Sequence, residues 1–318
     1  MQHALQIAVL GTGQMGPGIA ARLALAGHQV ILYGRSRASI ERGLAGAQHV
    51  LALLRDGQVV SPDAADTARA RLSATTSLAE AVRPARIVFE SVVEDVAVKA
   101  ALFAEVERHT GADTIIASNT SGLPITQIVA QMQLRGRGLT SHFWNPGYLM
   151  PLVEIVRSQW STDAAVEQLR GVLQAAGWAP VVLTKDVPGQ LGNRLQHAVY
   201  REAFHILAEG IASVEDIDLA IKNGPGLRWP VYGLFEHADM IGLDMQHAID
   251  SYLFADLGAA QTSPPVLTER VERGDLGVKS GRGFYDWSSK DAAEVRTVRD
   301  QFLLARLKDQ LAASSTGQ

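Results

Sequence analysis

The sequence predicts an α/β fold, in which a Rossmann-type, doubly wound sheet is followed by a smaller all-α domain. At the N-terminus the apolar run Gln6–Leu10 leads into Gly-x-Gly-x-x-Gly and then into an alanine-rich helical stretch. Short apolar strands alternate with helical stretches up to about residue 186, which is typical of a mostly parallel sheet. Long amphipathic stretches replace the strands from there on. We therefore expect two domains, at residues 1–186 and 187–318.

The elements of each domain are predicted from their apolar periodicity. After the first strand, the candidate strands of the first domain lie at 29–33, 87–90, 114–118, 139–143 and 181–183. Helical periodicity fills the gaps between them, for instance at 19–26, 38–54 and 99–109. In the second domain the helices are expected at 195–209, 214–223, 235–253 and 292–311.

Composition narrows the classes of function. The 318 residues carry a net charge of −4, with 19% charged and 47% hydrophobic residues, so we expect no nucleic-acid partner and no anionic membrane partner. No stretch has the length of a membrane span. Since the chain has no cysteine, it has no disulfide, thiolate nucleophile or cysteine metal ligand. We expect no metal site and a cytoplasmic location.

The N-terminal glycine motif has the sequence context of a dinucleotide-binding loop. Gly11 permits a tight turn, Gly13 lets the backbone approach phosphate groups, and Gly16 lets the following helix pack closely on the strand. Gln14 and Met15 complete the loop, and the helix behind it presents free N–H groups to an anion. A dinucleotide pyrophosphate is the expected ligand, and an ordinary glycine-rich turn is the alternative.

The end of the second strand bears on the choice of cofactor. In dinucleotide-binding folds an acidic residue at this place binds the adenosine ribose hydroxyls. Here Tyr33 is followed by Gly-Arg-Ser-Arg, and no acid is present. Arg35 and Ser36, with Arg37 as a further candidate, suit a 2′-phosphate. The sequence therefore favours NADP(H), with NAD(H) as the alternative, unless these arginines lie in a solvated loop.

A histidine and a glutamate are the first candidates for catalysis. His142 lies at the end of a predicted strand, just before a proline, and Glu154 follows twelve residues later inside an apolar run. A carboxylate in such a setting needs a partner. Imidazole can act as a base near neutral pH, and a carboxylate on its other nitrogen fixes the tautomer. Considered alone, such a pair is also compatible with a structural role.

Four separated motifs resemble the 3-hydroxyacyl-CoA dehydrogenase family, and they stand in the family's order over nearly the whole chain. They are the glycine loop, Ser-Asn-Thr-Ser at 118–121, His-Phe-Trp-Asn-Pro at 142–146 with Glu154, and Asp-Val-Pro-Gly-Gln-Leu-Gly-Asn-Arg at 186–194. The resemblance implies a hydride transfer between an alcohol and a nicotinamide cofactor. It also implies a homodimer formed through the C-terminal helical domain.

The resemblance implies a role for each matching residue. His142 resembles the family's general base and Glu154 its orienting partner. Ser121 and Asn193 match the polar groups that hold the reacting oxygen of the substrate, and Asn145 matches a contact to substrate or nicotinamide.

Two further residues match positions on the cofactor side of the family's site. Glu94 and Lys99 are expected near the ribose and the nicotinamide, although an exposed ion pair between them is the alternative.

The substrate implied by the resemblance is a 3-hydroxyacyl-CoA. Family members that bind acyl-CoA often carry lysines along the helix after the second strand, whereas residues 36–44 contain two arginines and no lysine. Relatives also oxidise carnitine, sugar acids and pyridine alcohols, so a small free hydroxy acid or polar alcohol is the alternative. A dinucleotide-binding structural or regulatory protein without turnover is a third hypothesis.

Overall fold

The computed structural model describes residues 4–316, with side chains up to residue 310. A single sheet of eight strands forms the centre of the N-terminal part. Its strands are β1 (Gln6–Leu10), β2 (Gln29–Tyr33), β3 (Leu72–Thr75), β4 (Ile87–Glu90), β5 (Ile115–Ser118), β6 (Gly138–Phe143), β7 (Leu152–Arg157) and β8 (Ala179–Leu183).

Helices connect most of these strands, and helices separated by loops form the C-terminal part of the chain. They are α1 (Gly16–Leu25), α2 (Arg37–Asp56), α3 (Pro62–Ala70), α4 (Leu78–Val82), α5 (Val96–His109), α6 (Ile125–Ile128), α7 (Asp163–Ala175), α8 (Gly192–Ala208), α9 (Val214–Asn223), α10 (Pro225–Arg228), α11 (Leu234–Ile241), α12 (Leu243–Leu253), α13 (Pro265–Glu272) and α14 (Ala292–Thr316). Two 3₁₀ turns, Val129–Gln131 and Arg135–Arg137, precede β6.

The strand order is that of a doubly wound dinucleotide-binding fold. The sheet runs β3-β2-β1-β4-β5-β6-β7-β8, and the strands from β3 to β6 pair in parallel. β7 is antiparallel to β6, and β8 is parallel to β7. The order reverses between β1 and β4, and ligands of such sheets bind at the carboxyl ends of the strands beside that point. The predicted fold class is confirmed.

The sheet is buried on both faces. Along β1, Ile7 and Val9 belong to one apolar cluster, while Ala8 and Leu10 belong to the other. Residues of α1, α2, α3, α7 and α14 contribute to the first cluster, and residues of α4, α5 and α6 contribute to the second. Because successive strand residues point to opposite faces, a strand covered on both sides reads as a continuous apolar run. This is why β1 and β4 are easy to predict.

Several features of the chain differ from the prediction, among them β7, which lies where only an apolar run around Glu154 was expected. β3 was not predicted: its four residues, Leu-Ser-Ala-Thr, are weakly apolar because the strand lies at the edge of the sheet and is half exposed. The helix predicted over 235–253 is two helices, α11 and α12, separated by Gly242 with a φ of 94°. That left-handed conformation favours glycine and ends the helix.

The described residues divide into two compact units. One contains the chain up to Gly192 together with the part of α14 from Thr297 onward, and the other is Asn193–Arg296. The division into domains at 1–186 and 187–318 stays a prediction, while the two units group residues 187–192 and the last part of α14 with the first unit. Leu307 of α14 is buried in the core of the first unit, and apolar contact with that core holds this half of the helix there.

No helix in the described part of the chain is long and apolar enough to cross a membrane.

Candidate active site

The glycine loop follows β1 and contains two positions that only glycine fits. Gly11 has a φ of 115°, and a Cβ there would lie 2.2 Å from the carbonyl oxygen of Ser91. A Cβ on Gly16 would lie 2.0 Å from the carbonyl oxygen of Gly11. The backbone N–H of Gly11 donates to the Tyr33 carbonyl oxygen at 3.0 Å. The hydrogen bond and the lack of space for a Cβ show that the loop packs closely against the ends of β1, β2 and β4.

The next part of the loop is open. A Cβ on Gly13 would meet no protein atom within 4 Å, and Gln14 beside it is exposed. α1 begins after the partly buried Met15 with no side-chain cap and with no acid in its first turn. Free N–H groups and the positive end of the helix dipole are therefore available to an anion. The loop fits the pyrophosphate of a dinucleotide.

The residues after β2 have different surroundings. The Ser36 hydroxyl accepts the Ser39 N–H at 3.2 Å and caps α2. Arg37 forms an ion pair with Glu41 at 2.9 Å. Arg35 is exposed, and among the described residues its guanidinium has no ion pair. Of the two arginines, Arg35 has no ion pair within the described part of the chain to give up on binding a phosphate, whereas Arg37 has an exposed one.

A buried ion pair lies at the end of β4. The Glu90 carboxylate accepts from the Lys99 ammonium at 2.7 and 2.9 Å and from the Ser118 hydroxyl at 2.6 Å. The side chain of Lys99 is 1% exposed. Its ammonium also lies 3.4 Å from Glu94. Lys99 is thus buried against two carboxylates, and its place beside the cofactor stays a prediction.

Glu94 joins the loops that follow β4 and β5. It accepts hydrogen bonds from the Thr120 hydroxyl and, at 3.0 Å, from the Ser121 backbone N–H, while the Ser121 hydroxyl lies 3.4 Å away. Burial opposes its ionisation, but the Thr120 hydrogen bond and the positive charge of Lys99 lower the pKa of the Glu94 carboxyl overall. Its side chain is 43% exposed, so Glu94 presents a charged edge to solvent.

His142 and Glu154 form the centre of the candidate site. They are direct partners in the antiparallel pairing of β6 and β7, and His142 Nδ1 lies 2.7 Å from Glu154 Oε2. Two strands joined by a turn place residues opposite each other when they are equally distant from the turn, which explains the twelve-residue spacing.

The Glu154 carboxylate is fully buried and accepts four hydrogen bonds. Besides His142, its donors are Trp144 Nε1 at 3.0 Å and the backbone N–H groups of Leu191 and Gly192 at 2.7 and 2.9 Å. Burial by itself would raise the pKa of Glu154, but these donors lower it to about 2. The ionised carboxylate keeps a proton on His142 Nδ1 and leaves Nε2 as the acceptor of the neutral ring.

Asn119 fixes the strand end that carries His142. Its Oδ1 accepts the Phe143 N–H at 2.9 Å, and its Nδ2 donates to the Ser91 hydroxyl at 3.1 Å. Asn119 and Trp144 were not predicted as site residues, although both lie inside the motifs that carry the family resemblance. Their positions inside these motifs indicate that they belong to the site. The hydrogen-bond partners of Asn119 and Trp144, however, depend on how the strands pair.

The predicted site residues of the first unit thus gather at one edge of the sheet. The glycine loop, Glu94 and Ser121 follow parallel strands at their carboxyl ends, and His142 lies near the end of β6. Glu154 is the third residue of the neighbouring antiparallel strand β7. Asn145 is exposed just beyond β6. Asn193 belongs to the second unit, as the second residue of α8, so its role at the substrate oxygen stays a prediction.

Two family models match the chain. The model described as "3-hydroxyacyl-CoA dehydrogenase, NAD binding domain" matches residues 6–187, and the one described as "3-hydroxyacyl-CoA dehydrogenase, C-terminal domain" matches residues 189–287.

Individual relatives span almost the whole chain. The chain is 34% identical over 302 residues to 5-formyl-3-hydroxy-2-methylpyridine 4-carboxylate 5-dehydrogenase of Mesorhizobium japonicum, covering 94% of this chain and 96% of the relative. It is 36% identical over 290 residues to 3-hydroxybutyryl-CoA dehydrogenase of Mycobacterium tuberculosis, covering 90% and 100%. A crystal structure of a 5-formyl-3-hydroxy-2-methylpyridine 4-carboxylic acid 5-dehydrogenase, an NAD+-dependent dismutase, superposes with a TM-score of 0.87 at 32% identity, covering 97% and 99%.

Proposed function

Since the chain belongs to the 3-hydroxyacyl-CoA dehydrogenase family, we propose that it interconverts a secondary alcohol and a ketone beside a thioester or carboxyl group. The family consists of NAD-dependent oxidoreductases that act on hydroxyl groups. The observation that carries the proposal is the 2.7 Å contact between His142 and the buried Glu154, at the sheet edge that also carries the glycine loop.

His142 acts as general base in the direction of oxidation. Its Nε2 takes the proton of the substrate hydroxyl, and in reduction it returns that proton to the ketone oxygen. A bound nicotinamide cofactor supplies the hydride acceptor or donor at C4. Glu154 holds the Nδ1 proton and stabilises the imidazolium, and it stays charged because its pKa is about 2.

Three further side chains complete the proposed substrate site. We assign Ser121 and Asn193 to the oxygen of the substrate and Asn145 to a contact with substrate or nicotinamide. Support for Ser121 comes from its position beside Glu94, on the loop that follows β5.

We propose a nicotinamide dinucleotide as cofactor, with NADP(H) favoured over NAD(H). The support is the exposed Arg35 at the end of β2 and the absence of an acid there. A guanidinium binds a 2′-phosphate well, whereas the ribose of NAD would lack its usual carboxylate partner. The residues of the loop hold the pyrophosphate of either cofactor.

The substrate class is proposed as a 3-hydroxyacyl-CoA, with a small free hydroxy acid or polar alcohol as the second candidate. The second candidate is favoured by the few cations at the start of α2, where Arg37 is already paired with Glu41. A relative named for a pyridine carboxylate also matches nearly the full length of the chain.

The experiment is a substrate screen that follows the absorbance of the reduced nicotinamide. 3-Hydroxybutyryl-CoA, free 3-hydroxy acids, carnitine and pyridine alcohols are compared with NAD+ and with NADP+. Turnover of the CoA ester alone supports the first candidate, and turnover of a free acid or alcohol supports the second. Cofactor binding without turnover of any compound would contradict the proposal and favour a non-catalytic dinucleotide-binding protein.

We also propose a homodimer formed through the C-terminal helical unit. None of the residues in Asn193–Arg296, all of which the structure describes, is buried in the single chain. Large apolar side chains are strongly exposed there, among them Phe235 at 88% and Val231 at 80%. A second copy that covers this surface would remove it from water. The cytoplasmic location stays a prediction.

A further inference from the structure

One oxygen of the Glu154 carboxylate is shared by two side chains. Oε2 accepts from His142 Nδ1 at 2.7 Å and from Trp144 Nε1 at 3.0 Å. The other oxygen is occupied by the N–H groups of Leu191 and Gly192. Trp144 is therefore a second side chain, besides His142, that bonds to this carboxylate.

The indole of Trp144 is held in place by its neighbours. A Cβ on Gly192 would lie 2.4 Å from Trp144 Cζ2, so the ring lies directly on the backbone at that glycine. The ring centroids of Trp144 and His142 are 6.0 Å apart. Gly192 also donates its own N–H to Glu154, and it therefore links the carboxylate and the indole.

The shared oxygen weakens the carboxylate as a partner of the imidazole. The indole N–H is a neutral donor that withdraws negative charge from Oε2. Because the negative charge on Oε2 stabilises the protonated imidazole, the hydrogen bond from Trp144 makes the imidazole less basic. Glu154 Oε2 bonds to both the His142 imidazole and the Trp144 indole. The indole N–H can thus act on the imidazole through the carboxylate oxygen that both rings share.

We propose that Trp144 is a positioning residue for the dehydrogenase reaction: its indole N–H sets the basicity of His142 through the shared Glu154 oxygen. The inference rests on the proposed function of His142 as base. It assigns to Trp144 a task that a purely apolar aromatic residue at this position cannot perform.

The test compares Trp144→Phe with Trp178→Phe as matched control. Trp178 lies in the same unit, is buried and donates its indole N–H to the Gly147 carbonyl oxygen at 3.1 Å. Both variants lose one indole hydrogen bond, but only the first loses a bond to Glu154. The acid limb of the pH profile of kcat/KM for alcohol oxidation should move about 0.5–1 pH unit higher in Trp144→Phe, as expected for one hydrogen bond. It should stay in place in Trp178→Phe.

A second measurement is independent of turnover. ¹⁵N NMR of the histidine rings follows the protonation of His142 directly, and its midpoint should move in the same direction in Trp144→Phe. If that variant folds poorly, benzothienylalanine at position 144 keeps the bicyclic outline and removes only the N–H.

The outcomes separate the inference from the proposed function. An unchanged pH profile and an unchanged His142 titration in the variant that lacks the N–H would overturn the inference. If instead the enzyme does not need His142 for turnover, the proposed function fails, while the NMR titration still tests the coupling between Trp144 and His142.

Discussion

His142 and Glu154 face each other across the antiparallel strands β6 and β7, with Nδ1 and Oε2 2.7 Å apart. This relationship makes one nitrogen of the ring a fixed donor and leaves the other to accept a proton. The two residues belong to the antiparallel pairing of β6 with β7. This pairing lies next to the carboxyl ends of the parallel strands, where dinucleotides bind to such sheets.

The first prediction concerns the proposed base. His142→Gln removes the proton acceptor but keeps a side chain of similar length, so kcat should fall about 10²–10⁴-fold while the dissociation constant of the cofactor changes little. Steady-state kinetics and fluorescence titration with the reduced cofactor measure the two quantities. His49→Gln, the same change at an exposed position of α2, should leave both unchanged. Near-normal turnover of His142→Gln would refute the assignment.

The second prediction concerns the pH dependence of stability. The pKa of Glu154 is lowered from 4.5 to about 2, so its charged form stabilises the fold above pH 4.5, and this stabilisation is lost as the pH falls toward 2. Glu154→Gln should lower the free energy of unfolding by about 1–3 kcal/mol at neutral pH, because a buried donor is left without its acceptor. Its stability should then depend less on pH between 4.5 and 2 than that of the wild type.

Chemical denaturation at a series of pH values measures this difference. The exposed Glu41→Gln on α2 serves as control and should keep the acid dependence of the wild type. Parallel curves for Glu154→Gln and wild type would show that the carboxylate is not the group responsible.

The third prediction separates two glycines of the loop. Gly13→Ala adds a methyl group where no protein atom lies within 4 Å, so the fold should tolerate it, but the methyl group occupies the space proposed for phosphate. Cofactor affinity should fall at least tenfold, about 1.4 kcal/mol. Gly16→Ala places its methyl group against the Gly11 carbonyl oxygen and should cost about 1–3 kcal/mol of stability.

Thermal unfolding with and without cofactor distinguishes these two effects. Gly13→Ala should keep the Tm of the free protein and show a smaller increase on adding cofactor, whereas Gly16→Ala should lower the Tm of the free protein itself. The opposite pattern would show that Gly13 serves the fold and not the ligand.

The fourth prediction concerns the 2′-phosphate. Arg35→Asp should lower kcat/KM with NADP+ about 10–100-fold, because a charge-assisted hydrogen bond is replaced by repulsion, and should affect NAD+ far less. Arg42→Asp makes the same charge change at an exposed position of α2 and should leave the ratio of the two cofactors unaltered. A wild-type enzyme with a strong preference for NAD+ would contradict the proposal.

The fifth prediction concerns assembly. The chain of 34.1 kDa should sediment at about twice that mass, through burial of the apolar surface of the helical unit. Phe235→Glu puts a charge on the most exposed of these large side chains and should shift the protein toward the monomer. Leu134→Glu, at an exposed apolar position of the first unit, should remain a dimer. A wild type that sediments as a monomer at micromolar concentration would contradict the dimer.

The sequence by itself determined the fold class, the order of the motifs and the family. These features depend on local patterns: apolar runs for strands buried on both faces, a glycine spacing for the loop, and helical periodicity after residue 190. The resemblance to the 3-hydroxyacyl-CoA dehydrogenase family is confirmed by models that match 6–187 and 189–287. The edge strand β3 and the helix end at Gly242 were not predicted, because their local sequence patterns are weak.

Only the tertiary structure decided which side chains meet. The pairing of β6 with β7 places His142 opposite Glu154, and the chain at Leu191 and Gly192 supplies two more donors. Packing buries the ammonium of Lys99 next to the carboxylates of Glu90 and Glu94. The physical reason is that hydrogen-bond partners follow from strand register and packing, which distant segments of the chain set together and no local pattern encodes.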